Sequence, residues 1–391
     1  MDAKILFIDD EEKVLEAIEN QLFVKLDIWQ TDFAGSGEDA IKMMEETAYD
    51  VVVSDMRMPG MDGAAVLTYV RDNYPNAMRV VLSGHAIPEA AIAAIPYAHQ
   101  YLAKPCKQET LIETIENTLK IRDTSDDPDV RLGISKVMDL PTHLGVYTEL
   151  VSVLDCGNSD FEDIAAVIEK DPSLTMKVMF VANSALFATA NPAESTYEAV
   201  QRLGGQALKM LVLAVEISGL IDDGEDAAAI ERREHQERVT QIMGVLLYDH
   251  PRHQMSGAIA AILHDLGFMV YMNFITERYE RAVLSRSDCK SRRVELEIEE
   301  FGISYAHLGA LLLNLWRLPD AVTSAVKNQH SKNKEDFENA PVSVSLMLAD
   351  FLVEDTDVED HLEDVLSLLP DLEVDAWRER LDEIIAVSQS H

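Results

Sequence analysis

The sequence predicts two fold classes in tandem. The first is an α/β doubly wound parallel sheet over roughly the first 120 residues, and the second is an all-α helical region running from about Leu132 onward. Three observations carry this. Short apolar runs alternate with segments of helical period near the N-terminus. Those runs stop at chemically active residues. Past an acidic break, the apolar spacing is helical throughout, and no strand pattern of comparable length appears.

The runs are Lys4–Ile8, Val51–Ser54, Arg79–Leu82 and Tyr101–Ala103. They end at Asp9-Asp10, Asp55, Ser83 and Lys104-Pro105. In a parallel α/β sheet such ends gather at one edge, where ligands bind. Three carboxylates held together repel unless a cation joins them, and oxygen ligation suits Mg²⁺. Between the runs, helical spacing occupies Val14–Phe23, Ala40–Met44, Ala64–Val70 and Leu111–Leu119, with turns at Pro59-Gly60 and Asp62-Gly63.

The residues Ile8-Asp9-Asp10, Ser54 through Gly63, Ser83-Gly84 and Tyr101 through Pro105 stand in the order found in receiver domains of bacterial two-component response regulators. The segment resembles that family over its whole length. The resemblance implies a five-stranded sheet and a phosphoacceptor, Asp55, charged by the phosphohistidine of a sensor histidine kinase. It further implies Mg²⁺ held by Asp10, Asp55 and the Arg57 carbonyl, with Asp9 assisting through water. Lys104 would neutralise charge on the transferring phosphoryl group. Ser83 would hydrogen-bond that group, Tyr101 would swing inward as Ser83 moves, and Pro105 would follow a cis peptide bond. Taken singly, each of these residues reads more simply as a loop acid or a surface lysine; only the ordered set points to phosphotransfer. Arg57 and His85 stand where they could overhang the acyl phosphate.

Length and charge narrow the rest. With 391 residues, two or three domains are expected. A net charge of −37 opposes binding to nucleic acid or to anionic lipid. The apolar stretch 207–221 is interrupted by Lys209 and Glu216 and is too short to span a bilayer. Cys106, Cys156 and Cys289 form no disulfide or zinc pattern, and Met1–Lys4 leads directly into a strand. A soluble, cytoplasmic protein is expected.

The acidic stretch around residues 123–133 reads as a linker between a first domain at 1–122 and a helical domain at 134–352. Residues 353–391 form an acidic tail, in which thirteen acids face two arginines from Glu354 onward, and a capping helix with a solvated face is the expectation. The helical domain also resembles a family. Leu140-Pro141, Asp171 through Thr175, Val181 through Phe187, Ile262 through Gly267 and Trp316 through Pro319 are similar to HDOD domains, relatives of the HD superfamily often found behind receivers.

In HD-type phosphohydrolases, histidines and carboxylates on several helices hold metals that activate water. His235, His264-Asp265, His307, His330 and Asp350 fall in the corresponding order, so a site for Fe, Mn or Zn is raised by the resemblance. Departures oppose catalysis. Gln329 stands where the cyclic-di-GMP phosphodiesterase branch has a second histidine, Phe268 where it has a lysine, and its Gly-Tyr-Pro signature is absent. The preferred account is a hydrogen-bonded His264–Asp265 pair that pins helices, with a largely non-catalytic domain. The expected function is a response regulator whose Asp55 phosphorylation controls how the HDOD-like domain binds a signalling protein; the alternative is a phosphorylation-controlled, metal-dependent phosphohydrolase. The small apolar run Ala90–Ile95 suggests a homodimer face, although packing against the second domain explains it equally well.

Overall fold

The computed structural model describes residues 3–25, 28–83, 98–140, 142–155, 160–183, 191–217, 221–222, 227–250, 252–287 and 290–354, with 363, 365–369, 374, 377–378 and 380–381 of the tail. The expectations for His85 and for Ala90–Ile95 lie outside these residues.

The N-terminal domain is a five-stranded parallel sheet in the order β2-β1-β3-β4-β5. Its strands are β1 (Ala3–Ile8), β2 (Trp29–Ala34), β3 (Val51–Ser54), β4 (Met78–Ser83) and β5 (Gln100–Ala103). The central strands β1 and β3 are almost wholly buried, which explains why they read as unbroken apolar runs. β2 reads Trp-Gln-Thr-Asp-Phe-Ala and alternates in burial at the sheet edge, so the apolar pattern alone had not marked it. Helices α1 (Glu12–Leu22), α2 (Gly37–Glu46), α3 (Gly63–Asn73) and α4 (Gln108–Arg122) accompany the sheet. Ser36 and Asp62 cap α2 and α3 by accepting from the backbone N–H groups of Asp39 and Ala65.

The second domain is helical. It comprises α5 (Pro128–Ser135), α6 (Leu144–Asp155), α7 (Phe161–Ile168), α8 (Pro172–Asn183), α9 (Thr196–Ile217) and α10 (Ala227–Leu246). These are followed by α11 (Gln254–Leu263), α12 (Leu266–Phe274), α13 (Thr276–Ala282), α14 (Lys290–Phe301), α15 (Tyr305–Leu315), α16 (Asp320–Asn328) and α17 (Pro341–Glu354). A pair of two-residue strands, Thr142–His143 and Ile221–Asp222, is a small addition to the helical expectation. One stretch, Gln254–Phe274, is apolar and long enough to cross a membrane, but it is broken between α11 and α12 and 67% buried in the helical core.

Half of the stretch expected as linker is structured. Residues 128–135 form α5, which packs on α12, and Asp127 caps it. The Arg278 guanidinium pairs with Asp127 at 2.7 Å, Asp129 at 2.9 Å and Glu300 at 3.0 Å, whereas Asp126 is left to solvent. The Ser125 hydroxyl donates to the Phe301 carbonyl at 2.5 Å. In the tail, Leu366, Leu369, Trp377 and Leu381 are buried, and Trp377 stacks on His250.

The two domains share a buried junction. Arg79 is fully buried; its guanidinium donates to the Ser135 carbonyl at 2.9 Å, and the ring of His99 meets the same carbonyl at 2.7 Å. The Arg79 backbone N–H donates to His99 Nδ1, which assigns the ring proton to Nε2 and makes His99 a neutral donor toward the second domain. Burial, followed by the Arg79 charge, holds His99 well below the ordinary histidine range.

Candidate phosphoacceptor site and histidine–aspartate cluster

The carboxyl ends of β1, β3 and β5 converge as the parallel topology requires. The Asp55 backbone N–H donates to the Ile8 carbonyl at 2.8 Å, which fixes the end of β3 beside Asp9. The Lys104 ammonium donates to Asp55 Oδ1 at 2.8 Å and also to Asp9 Oδ2. The second Asp55 oxygen accepts the Arg57 backbone N–H at 2.9 Å, and Asp9 Oδ1 accepts that of Glu11 at 3.1 Å. Asp9 and Asp55 are buried, whereas Asp10 is exposed at the rim, as is Arg57. The Lys104–Pro105 bond is cis, as the resemblance implied.

Electrostatics make the site cation-seeking. Burial, opposed by the bonds from Lys104 and Glu11, leaves the Asp9 carboxyl above the ordinary carboxylate range, and the Asp55 charge adds to the rise. Burial alone would lower the Lys104 ammonium, but its bonds to Asp55 and Asp9 outweigh that and raise it. One lysine against Asp9, Asp10 and Asp55 leaves surplus negative charge, and the donors are hard oxygens, a set suited to Mg²⁺. Gly63 is required here: a Cβ at this position would lie 2.0 Å from the Asp55 carbonyl oxygen, so only glycine lets α3 start so close to the end of β3.

Ser83 ends β4 opposite Ala103 in register. Tyr101, two residues further back on β5 than Ala103, is buried away from the acids. Its ring lies 5.8 Å from that of Phe180 on α8, and Phe180 in turn meets Trp316 at 6.3 Å. The sequence had not shown that this residue would touch the second domain.

A second cluster forms where α10, the α11–α12 junction and α17 meet. His235 Nε2 lies 3.1 Å from His264 Nε2 and 3.3 Å from Asp350 Oδ1. Asp265 Oδ2 lies 3.4 Å from His264 Nε2 and 3.9 Å from His235 Nε2. His264 Nδ1 contacts the Ala261 carbonyl at 2.7 Å, so the proton sits on Nδ1 and the bare Nε2 lone pair faces the cluster. A lone pair pointed at two carboxylates is unfavourable unless a proton from His235 or a cation lies between them. His235, His264 and Asp265 present ligand atoms at a spacing that fits a Zn, Mn or Fe ion, and Asp350 Oδ1 lies 3.3 and 3.9 Å from the two imidazoles.

Two residues of the expected set stand apart. His307 faces an open groove of about 660 Å³ with Lys327 and Ser304, because the first turn of α15 points it away from α17. Burial, with the Lys327 charge, lowers its pKa. His330 Nε2 meets the Tyr305 hydroxyl at 2.5 Å. Gln329 donates to the His264 and Val326 carbonyls at 3.1 and 2.9 Å, and Phe268 packs edge-on against Tyr279 and Tyr305.

Comparison with known proteins bears on both sites. The profile of the response regulator receiver domain matches residues 5–116, and that of the HDOD domain matches residues 140–332. The chain is a response regulator with an HDOD output domain. It is 30% identical over 119 residues to the hydrogenase transcriptional regulatory protein HoxA of Bradyrhizobium diazoefficiens, covering 30% of this chain and 24% of that protein. It is 30% identical over 122 residues to the response regulator protein FleR of Pseudomonas aeruginosa, covering 29% and 24%. The matched regions thus span about a quarter of the length of these curated relatives. Among solved structures, a receiver domain protein from Clostridium thermocellum is 31% identical, with 31% of this chain and 97% of that chain covered and a TM-score of 0.29. The MmoQ response regulator of Methylococcus capsulatus is 18% identical, with 61% and 96% covered and a TM-score of 0.49.

Proposed function

We propose that Asp55 accepts a phosphoryl group from the phosphohistidine of a sensor kinase, and that the HDOD domain is a largely non-catalytic output that binds a signalling protein accordingly. The observation that carries this reading is the Lys104 ammonium, bonded to both Asp55 and Asp9 at one rim of the sheet. In the transfer an Asp55 oxygen bonds to phosphorus as the phosphorus–nitrogen bond breaks, and the nitrogen keeps the electron pair. Lys104 and the Arg57 backbone N–H are already aimed at the Asp55 carboxylate, where they offset charge on the phosphoryl oxygens without reorganising. Asp9, Asp10, Asp55 and the Arg57 carbonyl would hold Mg²⁺, which supplies further neutralisation of the phosphoryl charge. Ser83 is assigned to the phosphoryl oxygens and Tyr101 to the relay. The chain is taken to act in the cytoplasm.

Incubation with a small phosphodonor such as phosphoramidate and Mg²⁺, followed by phosphate-affinity electrophoresis, tests the assignment. One phosphate per chain that hydroxylamine removes is expected, absent from Asp55→Ala and after chelation. Retention of label in Asp55→Ala would overturn it.

A resident metal in the second cluster is a further reading, supported by the bare His264 Nε2 facing Asp265 and Asp350. The packed Phe268 ring and the backbone-bound Gln329 amide favour a structural or sensory ion over turnover. Stoichiometric Zn, Mn or Fe in purified protein, lost in His264→Ala, is the expected result; metal-free protein with an intact fold would refute it.

A further inference from the structure

The strand that ends at the phosphoacceptor site also grips one bend of the output domain. On β5, the Gln100 side-chain amide donates to the Leu315 carbonyl, and the Tyr101 ring meets Phe180, which packs on Trp316. Leu315 and Trp316 close α15. There the Arg317 and Leu318 N–H groups return to the Asn314 and Leu313 carbonyls at 2.9 and 3.1 Å, and α16 begins at Asp320. Arg317 sits in the left-handed region at φ 57°, where glycine would be relaxed, so the bend is strained.

The far ends of the same hairpin reach the histidine–aspartate cluster. Tyr305 opens α15, and its hydroxyl bonds His330, while Gln329, just past α16, donates to the His264 carbonyl. A rigid eleven-residue helix spans about 16 Å, so motion at the bend is delivered at the cluster. A Cβ at Gly267 would lie 2.0 Å from the Tyr305 carbonyl oxygen, so α12, which follows His264-Asp265, abuts the start of α15 with no slack.

Trp316 Nε1 and Asn183 Nδ2 are buried and find no acceptor among the described residues. Both residues line, with Gln100, Tyr101 and Arg317, a cavity of about 10 Å³, roughly room for one water.

We infer that the α15–α16 hairpin is a lever coupling the occupancy of Asp55 to the geometry of the His235–His264–Asp265–Asp350 cluster. This rests on phosphorylation at Asp55 as proposed above. Pull on Lys104 moves β5, β5 moves the bend, and the helices carry the displacement to Tyr305, Gln329 and His264. Coupling is reciprocal, so changes at the cluster alter the bend equally.

The test uses full-length protein labelled with ¹⁵N at histidine, with Trp29 and Trp377 replaced by Phe so that Trp316 is the sole indole. Beryllium fluoride with Mg²⁺ serves as the phosphoryl mimic, and ¹⁹F resonance reports whether it is bound. Loading is expected to shift the Trp316 emission and the His264 and His330 ring resonances together. A bound ¹⁹F signal with unmoved histidines would overturn the lever, whereas absence of bound fluoride would count against the Asp55 assignment alone. A second arm needs no mimic. Gln100→Ala should shift the His330 resonance, and His264→Ala should shift the Trp316 emission. Silence in this arm overturns the coupling whatever happens at Asp55.

Discussion

Replacing Glu297 with Gln should remove the loss of stability that this carboxyl contributes between pH 4.5 and 7. Glu297 is fully buried; one of its oxygens accepts from the Tyr279 hydroxyl and the other accepts the Tyr305 N–H at 2.8 Å. Burial pushes its pKa from 4.5 up to about 7, although the bonds from Tyr279 and Tyr305 and the Arg293 charge pull it down. In the unfolded chain the carboxyl ionises near 4.5. Across the window from 4.5 to 7, then, the native state keeps a proton that the unfolded state has released. The native state binds more protons, so the contribution of Glu297 to stability is fully present below pH 4.5 and is lost as pH rises through about 7. A rise from 4.5 to about 7 corresponds to a loss of about 3 kcal/mol. Glu297→Gln has no proton to lose yet can still accept from Tyr305. Urea unfolding of both proteins at pH 4.5, 6 and 7.5 should therefore show native stability falling by about 3 kcal/mol relative to the variant. Parallel curves would refute the claim that burial governs this carboxyl. Because Glu297 holds the first residue of α15, the same measurement reports on the end of the hairpin that faces the metal-type cluster.

Lys177 should show the opposite trend at high pH. It is buried against the Leu140 carbonyl and the Ser173 hydroxyl, and burial lowers its pKa from 10.5 to about 8. Between those values the unfolded chain binds a proton that the native state lacks, so stability should rise by about 3 kcal/mol from pH 8 to 10.5; denaturation of Lys177→Met should show no such rise. Gly63→Ala should cost at least about 2 kcal/mol and abolish labelling of Asp55, since the new methyl group must displace the Asp55 carbonyl; calorimetry and phosphate-affinity gels check this together. Lys104→Met should slow phosphorylation by roughly 10²- to 10³-fold, the scale of losing one preorganised charge contact, as followed by stopped-flow fluorescence with phosphoramidate. An unchanged rate would remove Lys104 from the transfer.

Local pattern was enough to locate most of the receiver. Strands buried on both faces must be apolar along their length, and in a parallel sheet their ends must share an edge, so Asp9, Asp55 and Lys104 could be placed together from spacing alone. The helical period of the second domain was equally legible. The edge strand Trp29–Ala34 was not, because Gln30, Thr31 and Asp32 interrupt its apolar residues where that edge meets solvent. Nor was the division of the six HD-type residues. Helical phase carries His307 to the groove and the turn after α16 sets His330 on Tyr305, while among the described residues His235, His264 and Asp265 converge with Asp350 beside the two imidazoles.

The chain order of amino acids determined the two fold classes and the acids and lysine that end the strands, because strand and helix follow from short-range periodicity and a parallel sheet brings its strand ends to one edge. Tertiary structure alone decided that Tyr101 and Gln100 meet Phe180 and Leu315, that Arg79 and His99 close on Ser135, and that one helical hairpin joins the two sites. Those contacts join residues 36 to 215 positions apart. Nothing in either partner's local sequence encodes the other; the pairing follows from which apolar faces remain to be buried once each domain has folded.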